Sequence, residues 1–335
     1  NVFDHSFPQV VPLVLGPLSE IYGRSIIYLI SATLHTLCYL PEALIVNLPS
    51  LLVFRFSSGA TGSAALCVVA GTIVDLFPET ERGPPMAAFS IVAFGSPSAG
   101  SVVFSYVVEH LGYRYVNWVL FALSSIITLV LFGILKESRT SVLLQRKAAR
   151  LQKGDSTVYY VSTLDKPVNL TRMLSTAFSL PLRMLFTEPV LAGFTLWISF
   201  TWSVLYLTLV SVPIVYKTMY HFGTGATGLV YISQIVGVCL GFLFDCACTP
   251  PYKRNLPEKG PEARLYTGLG AAVFIPIGSF LWAFTTYPQV HFVVPCFGMA
   301  VLYVGMYCCF LSTHAYLADA YTSCRSFLHS VLFHV

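Results

Sequence analysis

Eight apolar stretches of about 20 residues recur along the 335-residue chain, separated by short polar turns and by one long polar segment. A helix of about that length crosses the hydrocarbon core of a bilayer, because each residue advances the helix by about 1.5 Å. The pattern therefore predicts an all-α polytopic membrane protein. The predicted spans are 26–46, 51–77, 85–108, 116–135, 190–215, 226–244, 265–286 and 291–317.

Composition supports this class and removes several others. Charged residues make up 10% of the chain, whereas a soluble domain carries about 25%. The net charge of +4 is modest, so nucleic acid is not an expected partner. The nine cysteines show no zinc-binding spacing, and the sequence carries no nucleophile elbow, phosphate loop or paired catalytic carboxylates. We therefore expect no metal, no cofactor and no enzyme.

The basic residues assign the loops to the two sides of the membrane. Loops facing one side carry sixteen of the 19 Lys and Arg residues, and the opposite loops carry Arg114 and Lys217 alone. Positive charge is retained on the cytoplasmic side of membrane proteins. The long central segment 136–188 is therefore expected in the cytoplasm, between an N-terminal bundle at 1–135 and a C-terminal bundle at 189–335. A further stretch at 7–18 is too short for a full span.

Arg55 stands out because it lies a few residues inside an apolar span, where a charge is costly and marks a functional candidate. Glu42, near the end of the preceding span, is a possible partner for its guanidinium. The alternative is an arginine whose side chain reaches the membrane surface. His35 and His314 also lie in spans, where hydrogen bonds between helices are the better interpretation.

The turn at 16–24 concentrates glycine and charge between two helices. Gly16 and Gly23 permit a tight turn, and Glu20 suits the positive end of a helix dipole. Arg24 would pair with a carboxylate of a neighbouring loop and so latch two helices together on one side only. The candidate partners are Asp75, Glu79 and Glu81.

Two further sets of residues are candidates for a hinge within a span and for the lining of a cavity. Pro97 and Gly100 place a helix break and a small residue in the middle of a span, which favours close packing or hinging. Aromatic and amide side chains of the second half are candidates for a substrate pocket. They are Trp197, Trp202, Tyr206, Tyr231, Gln234, Tyr303 and Tyr307.

Several of these motifs together carry a resemblance to a known family. They are the turn 16–24, Arg55-Phe56 with Gly59, the helix end 71–77, Pro97 with Gly100, and the segments 136–139, 261–266 and 316–321. The chain resembles the major facilitator superfamily, and within it the fungal drug:proton antiporter branch. That resemblance implies two helical bundles with twelve spans, and a role in proton coupling for the arginine at position 55.

The chain also departs from the pattern of that family. Ser25 stands where a second basic residue is expected, and Ser96 and Phe104-Ser105 replace glycines of the fifth-helix motif. We expect about eight full spans and one partial span of the twelve, so that the fold is incomplete and the chain truncated at both ends. After Tyr321 the sequence no longer resembles the eleventh span.

The function expected from these observations is proton-coupled efflux of small amphipathic compounds such as drugs, toxins or secondary metabolites. The expected partners are a small-molecule substrate, the proton and membrane lipid, and we expect a monomer in the plasma membrane. Two alternatives stay open, an importer of a polar nutrient and a truncated remnant without activity. A membrane enzyme is a distant fourth interpretation.

Overall fold

The computed structural model describes residues 15, 18–19, 22–45, 47–78, 81–139, 142–144, 147–148, 151, 179 and 183–332. Within these residues the regular structure is helical. The elements in chain order are α1 (Arg24–Leu44), α2 (Leu48–Leu76), α3 (Gly83–Leu111), α4 (Tyr113–Ile134), α5 (Pro189–Thr218), α6 (Thr224–Val230), α7 (Ile232–Lys259), a 3₁₀ helix (Gly260–Arg264), α8 (Leu265–Ala272), α9 (Phe274–Thr285) and α10 (Val293–Leu332).

Seven helical segments of the described residues are long and apolar enough to cross a membrane. Each coincides within a few residues with a predicted span, so the multi-pass membrane character of the chain is confirmed. The predicted span 51–77 corresponds to the 29-residue α2, which is not among the seven. Most of the predicted partial span 7–18 lies outside the described residues. The count of eight full spans and one partial span therefore stays a prediction.

The helix ends follow from local residues. Gly23, with φ of 99°, precedes α1, and Gly112, with φ of 90°, follows α3. Residues with a Cβ atom rarely adopt such positive φ angles, so glycine permits the backbone conformation at both positions. α2 begins with a proline in its first turn, where the missing N–H costs no helical hydrogen bond. These residues mark the start of α1, the start of α2 and the end of α3.

Contacts between residues divide the chain into two compact units. The first unit comprises Asn1–Pro78 with Tyr113–Pro189, and the second comprises Glu79–Gly112 with Val190–Val335. In the first unit α1 packs against both α2 and α4. Hydroxyl groups join these helices, as where Thr36 contacts Ser124 at 2.6 Å and Thr128 at 3.0 Å. Such bonds satisfy polar groups that have no water partner inside a membrane.

In the second unit α10 packs against α3, α7, α8 and α9. Small residues allow the closest of these contacts. A Cβ added at Gly237 would lie 2.4 Å from the carbonyl oxygen of Ala300, and one at Gly278 would lie 2.4 Å from the amide nitrogen of Leu302. Helix α3 belongs to this unit although it precedes residue 135. The division of the chain into bundles at 1–135 and 189–335 stays a prediction.

Candidate functional site

Four charged side chains meet at one end of the first unit, and we call them the charge cluster: Arg24, Asp75, Glu137 and Arg139. The Nε and Nη2 atoms of Arg24 each lie 2.8 Å from Oδ2 of Asp75. Nη1 of Arg139 lies 3.3 Å from both oxygens of the same carboxylate. The side chains of Arg24, Asp75 and Arg139 are only 7%, 18% and 19% exposed. One carboxylate thus holds two largely buried guanidinium groups.

Glu137 occupies the amino-terminal end of α1. Its Oε1 accepts the backbone N–H of Arg24 at 3.0 Å, and its Oε2 accepts that of Ser25 at 3.3 Å. Oε1 also accepts the backbone N–H of Arg139 at 3.0 Å. The residue before α1 is glycine, which has no side chain to cap the helix. A carboxylate from beyond α4 therefore provides both the missing acceptors and a charge that suits the helix dipole.

Two glycines leave the space that the charge cluster occupies. A Cβ added at Gly23 would lie 2.2 Å from Oε2 of Glu137, and one at Gly71 would lie 2.4 Å from Nη1 of Arg24. The same Nη1 donates to the carbonyl oxygen of Val68 at 3.1 Å, one turn earlier on α2. The Arg24 guanidinium therefore lies against α2 at Gly71, where the side chain of a larger residue would displace it.

The sequence identified part of this cluster. Of the three candidate partners for Arg24, the structure places Asp75 against it. Gly16, Glu20 and Glu79 lie outside the described residues. For Glu137 and Arg139 the sequence offers only the resemblance of segment 136–139, since no local pattern connects them to a helix that starts 113 positions before Glu137.

Arg55 and Glu42 form an ion pair towards the other end of α1 and α2. Nε of Arg55 lies 3.5 Å from Oε2 of Glu42. The Arg55 side chain is 49% exposed and that of Glu42 only 3%. Beside them Nδ1 of His35 lies 2.8 Å from the carbonyl oxygen of Ser58, and its Nε2 lies 3.1 Å from the Tyr39 hydroxyl. The histidine joins helices, as its position in a span predicted.

Pro97 and Gly100 lie on α3, in the second unit. The helix continues through Pro97, and a Cβ added at Gly100 would meet only Phe104, at 3.9 Å. The tight approach lies further along α3, where a Cβ added at Gly228 would be 2.4 Å from that of Ser105. One turn beyond, the exposed Glu109 accepts the backbone N–H of Gly225 at 3.0 Å. Close packing thus occurs on the predicted helix, but the glycines that permit it are on α6.

The proposed pocket residues Tyr231, Gln234, Tyr303 and Tyr307 are at most 4% exposed. Their polar atoms have partners within the second unit. Oε1 of Gln234 accepts the Ser98 hydroxyl at 2.7 Å, and the Tyr303 hydroxyl lies 3.2 Å from that of Thr208. The hydroxyls of Tyr231 and Tyr307 donate to the carbonyl oxygens of Leu209 and Ala87, at 2.7 and 3.2 Å. In this conformation the polar atoms of these four side chains are hydrogen-bonded to other residues of the second unit.

The remaining pocket candidates are tryptophans and a tyrosine on α5. Trp202 stacks on Phe94 at 5.6 Å and on Tyr206 at 6.0 Å between ring centroids, and it meets Phe310 edge-on at 5.9 Å. Tyr206 is 41% exposed, while Phe94 is fully buried. Trp197 lies separately, with its ring 6.2 Å from that of Phe200. The rings around Trp202 form an uncharged aromatic cluster, of which Tyr206 is an exposed member.

Among curated proteins the chain is similar to fungal transporters. It is 34% identical over 317 residues to the MFS transporter cpaT of Aspergillus oryzae, covering 93% of this chain and 64% of that protein. It is 31% identical over 335 residues to the probable drug/proton antiporter YHK8 of Saccharomyces cerevisiae, covering 96% and 65%. The chain thus spans just under two thirds of the length of these relatives.

A solved structure and a family profile agree with these relatives. The crystal structure of the human organic anion transporter MFSD10 (TETRAN) superposes with a TM-score of 0.55 at 15% identity, covering 95% of this chain and 74% of that one. At that identity the likeness concerns the fold alone. The profile of the Major Facilitator Superfamily matches residues 8–329. The chain therefore belongs to the major facilitator superfamily, a family of membrane transporters and not of enzymes.

Proposed function

We propose that the chain works as a proton-coupled exporter of small amphipathic compounds, such as drugs, toxins or secondary metabolites. The charge cluster is the observation that carries this proposal. It ties α1, α2 and the segment after α4 together at one end of the first unit. A carrier that opens alternately to its two sides needs contacts that hold one end closed and then separate.

Two further features support coupling to a proton and an amphipathic substrate. Arg55 holds a charge within a helix of an apolar unit and pairs with a carboxylate, which is a site where a proton competes with a cation. The stacked rings around Trp202 carry no charge and suit flat apolar groups. The name of the yeast relative, a probable drug/proton antiporter, is consistent with both.

We assign the loops by the distribution of basic residues. Sixteen of the 19 Lys and Arg residues lie on loops of one side, so the segment 136–188 and the charge cluster face the cytoplasm. The protein acts in the plasma membrane, as a monomer, with lipid around it. In a variant whose nine native cysteines are replaced by alanine, modification of single introduced cysteines by a reagent that cannot cross membranes tests this orientation in intact cells.

The direct test is transport by the purified full chain in lipid vesicles. Under an imposed pH gradient we expect accumulation of a fluorescent amphipathic cation, and its abolition in the variant Arg55→Ala. The matched control is Arg114→Ala, which removes an exposed arginine from the same unit. Retained accumulation in Arg55→Ala would remove the arginine from the coupling mechanism.

The same assay separates the two alternatives. Uptake of a labelled sugar or polyamine in place of the amphipathic cation would favour an importer of a polar nutrient. No transport of either compound by a correctly inserted chain would favour a remnant without activity.

A further inference from the structure

Glu42 is a buried carboxylate that is only half satisfied. Its side chain is 3% exposed, and its Oε2 lies 3.5 Å from Nε of Arg55. Among the residues that the structure describes, its Oε1 has no hydrogen-bond partner. Buried polar atoms without partners are rare, because each forfeits the hydrogen bonds that water would provide. The unpaired Oε1 of Glu42 is therefore a candidate for a functional role.

The pairing with Arg55 is too loose to balance the charge of Glu42 permanently. The two atoms are 3.5 Å apart, beyond the usual distance of a charge-assisted hydrogen bond, and the arginine is 49% exposed. A buried carboxylate is stabilised either by a close cation or by a bound proton. The Arg55 side chain is half exposed whereas Glu42 is buried, so the carboxylate is the member of the pair that depends on a bound proton when the cation is not close.

The other groups around Glu42 do not compete for this role. On α1 its neighbours are Cys38 and Tyr39, which lie within electrostatic range of its charge. The Tyr39 hydroxyl is bonded to His35. From α4 the facing group is the neutral amide of Asn117, whose nitrogen donates to the main-chain oxygen of Glu42 at 3.1 Å. From α2 the facing charge is that of Arg55.

We propose that Glu42 is the proton-binding group of the transport cycle. A proton adds to the carboxylate and gives a neutral carboxylic acid, so the ion pair with Arg55 ends and the site gains one positive charge. Loss of the proton restores the carboxylate and the ion pair. The assignment rests on the proposed proton-coupled function and names the residue that carries the proton in it.

The position of Glu42 separates this event from the charge cluster. Arg24 begins α1 and Glu42 lies 18 positions later, near its end, which corresponds to roughly 27 Å of helix. Protonation of Glu42 therefore does not neutralise any member of the charge cluster directly. The coupling between the two would pass along α1 and α2, which contact both sites.

Infrared difference spectroscopy of the full chain in vesicles tests the proposal without requiring transport. Between alkaline and acidic buffer we expect a band of a protonated carboxyl group in apolar surroundings. The band should disappear in Glu42→Gln and persist in the matched control Glu81→Gln, whose carboxylate is exposed in a turn. An unchanged band in Glu42→Gln would overturn the assignment.

A second measurement uses the unaltered protein, in case Glu42→Gln does not fold. Dicyclohexylcarbodiimide enters membranes and modifies protonated carboxyl groups, and mass spectrometry locates the adduct. We expect labelling of Glu42 in acidic buffer and its loss in alkaline buffer. Absence of label at Glu42 under both conditions would contradict the proposal.

Transport assays then distinguish this inference from the proposed function. Glu42→Gln should lose accumulation driven by a pH gradient while retaining exchange of labelled for unlabelled substrate, and Glu42→Asp should restore part of the accumulation. Gradient-driven transport that survives in Glu42→Gln would defeat the inference and leave the proposed function standing. An unaltered chain that binds a proton at Glu42 but transports nothing would defeat the proposed function and, with it, the role of Glu42 in a transport cycle.

Discussion

Each compact unit has one prominent set of polar contacts, and the two sets differ in charge. In the first unit Asp75 holds Arg24 and Arg139 at one end of the helices, and the three side chains are 18%, 7% and 19% exposed. In the second unit Ser98 and Gln234 form a neutral contact at 2.7 Å and both are fully buried. The first arrangement is charged and lies at a surface, whereas the second is uncharged and lies in a core.

This difference in charge and burial determines which of the two contacts is easier to break. Neutral hydrogen bonds in a core without water cost little free energy when every donor and acceptor is paired. Breaking one leaves a buried polar group without a partner, so such bonds favour one fixed arrangement. Charges near a surface lose less when they separate, because water reaches them as the contact opens. The charge cluster is therefore suited to a contact that forms and breaks, and the contact of Ser98 with Gln234 to packing that stays in place.

The largest expected effect comes from removing the shared carboxylate with Asp75→Asn. Two largely buried guanidinium groups would lose their counter-ion, at a cost of about 3 kcal/mol in the free energy of unfolding. A lower melting temperature of the purified protein in detergent measures this loss. The control Glu81→Gln removes an exposed carboxylate and should leave the melting temperature unchanged. Equal melting of both variants would mean that the cluster contributes nothing to stability.

A smaller loss is expected in the second unit from Gly228→Ala. The new Cβ would lie 2.4 Å from that of Ser105 and 3.4 Å from the carbonyl oxygen of Ser101, so α3 and α6 would have to separate. We expect a cost of about 2 kcal/mol, measured by the same melting experiment. In the control Gly270→Ala the added Cβ meets nothing within 4 Å, and stability should hold or rise. An unchanged melting temperature in Gly228→Ala would show that α3 and α6 have room for the added methyl group.

The neutral contact is tested by a double-mutant cycle on Ser98 and Gln234. Gln234→Leu alone leaves the buried Ser98 hydroxyl without its acceptor, at a cost of about 1.5 kcal/mol. Adding Ser98→Ala to that variant removes the orphaned group and should recover part of the loss. Strictly additive losses in the thermal unfolding of the three variants would refute a stabilising contact between the two side chains.

The smallest expected effect is that of Glu137→Gln. The amide keeps one oxygen for the N–H groups of Arg24 and Arg139 but loses the charge that suits the start of α1, at about 1 kcal/mol. Hydrogen exchange of the Arg24 and Ser25 amides, followed by mass spectrometry, reports on this end of the helix. Faster exchange confined to the start of α1 is expected, and unchanged exchange would argue against a capping role.

Sequence patterns predicted the elements because membrane spans depend on a local property. A run of about 20 apolar residues is sufficient to define a span, so seven of the eight predicted spans correspond to candidate spans of the structure within a few residues. The pairing of Arg24 with a carboxylate was predictable for a related reason, since a buried arginine needs an acid and few acids are present. The substrate pocket stays a prediction, because the burial of Gln234 and Tyr303 depends on which helices face them.

By itself the sequence determined the class of protein, the positions of its spans and the superfamily, since all three depend on composition and on motifs that are continuous in the chain. Only the tertiary structure decided that Glu137 caps a helix starting 113 positions earlier, that α3 packs with the second unit, and that one oxygen of Glu42 is left without a partner among the described residues. The physical reason is that charge pairing and burial depend on distances across helices, which no local spacing of residues specifies.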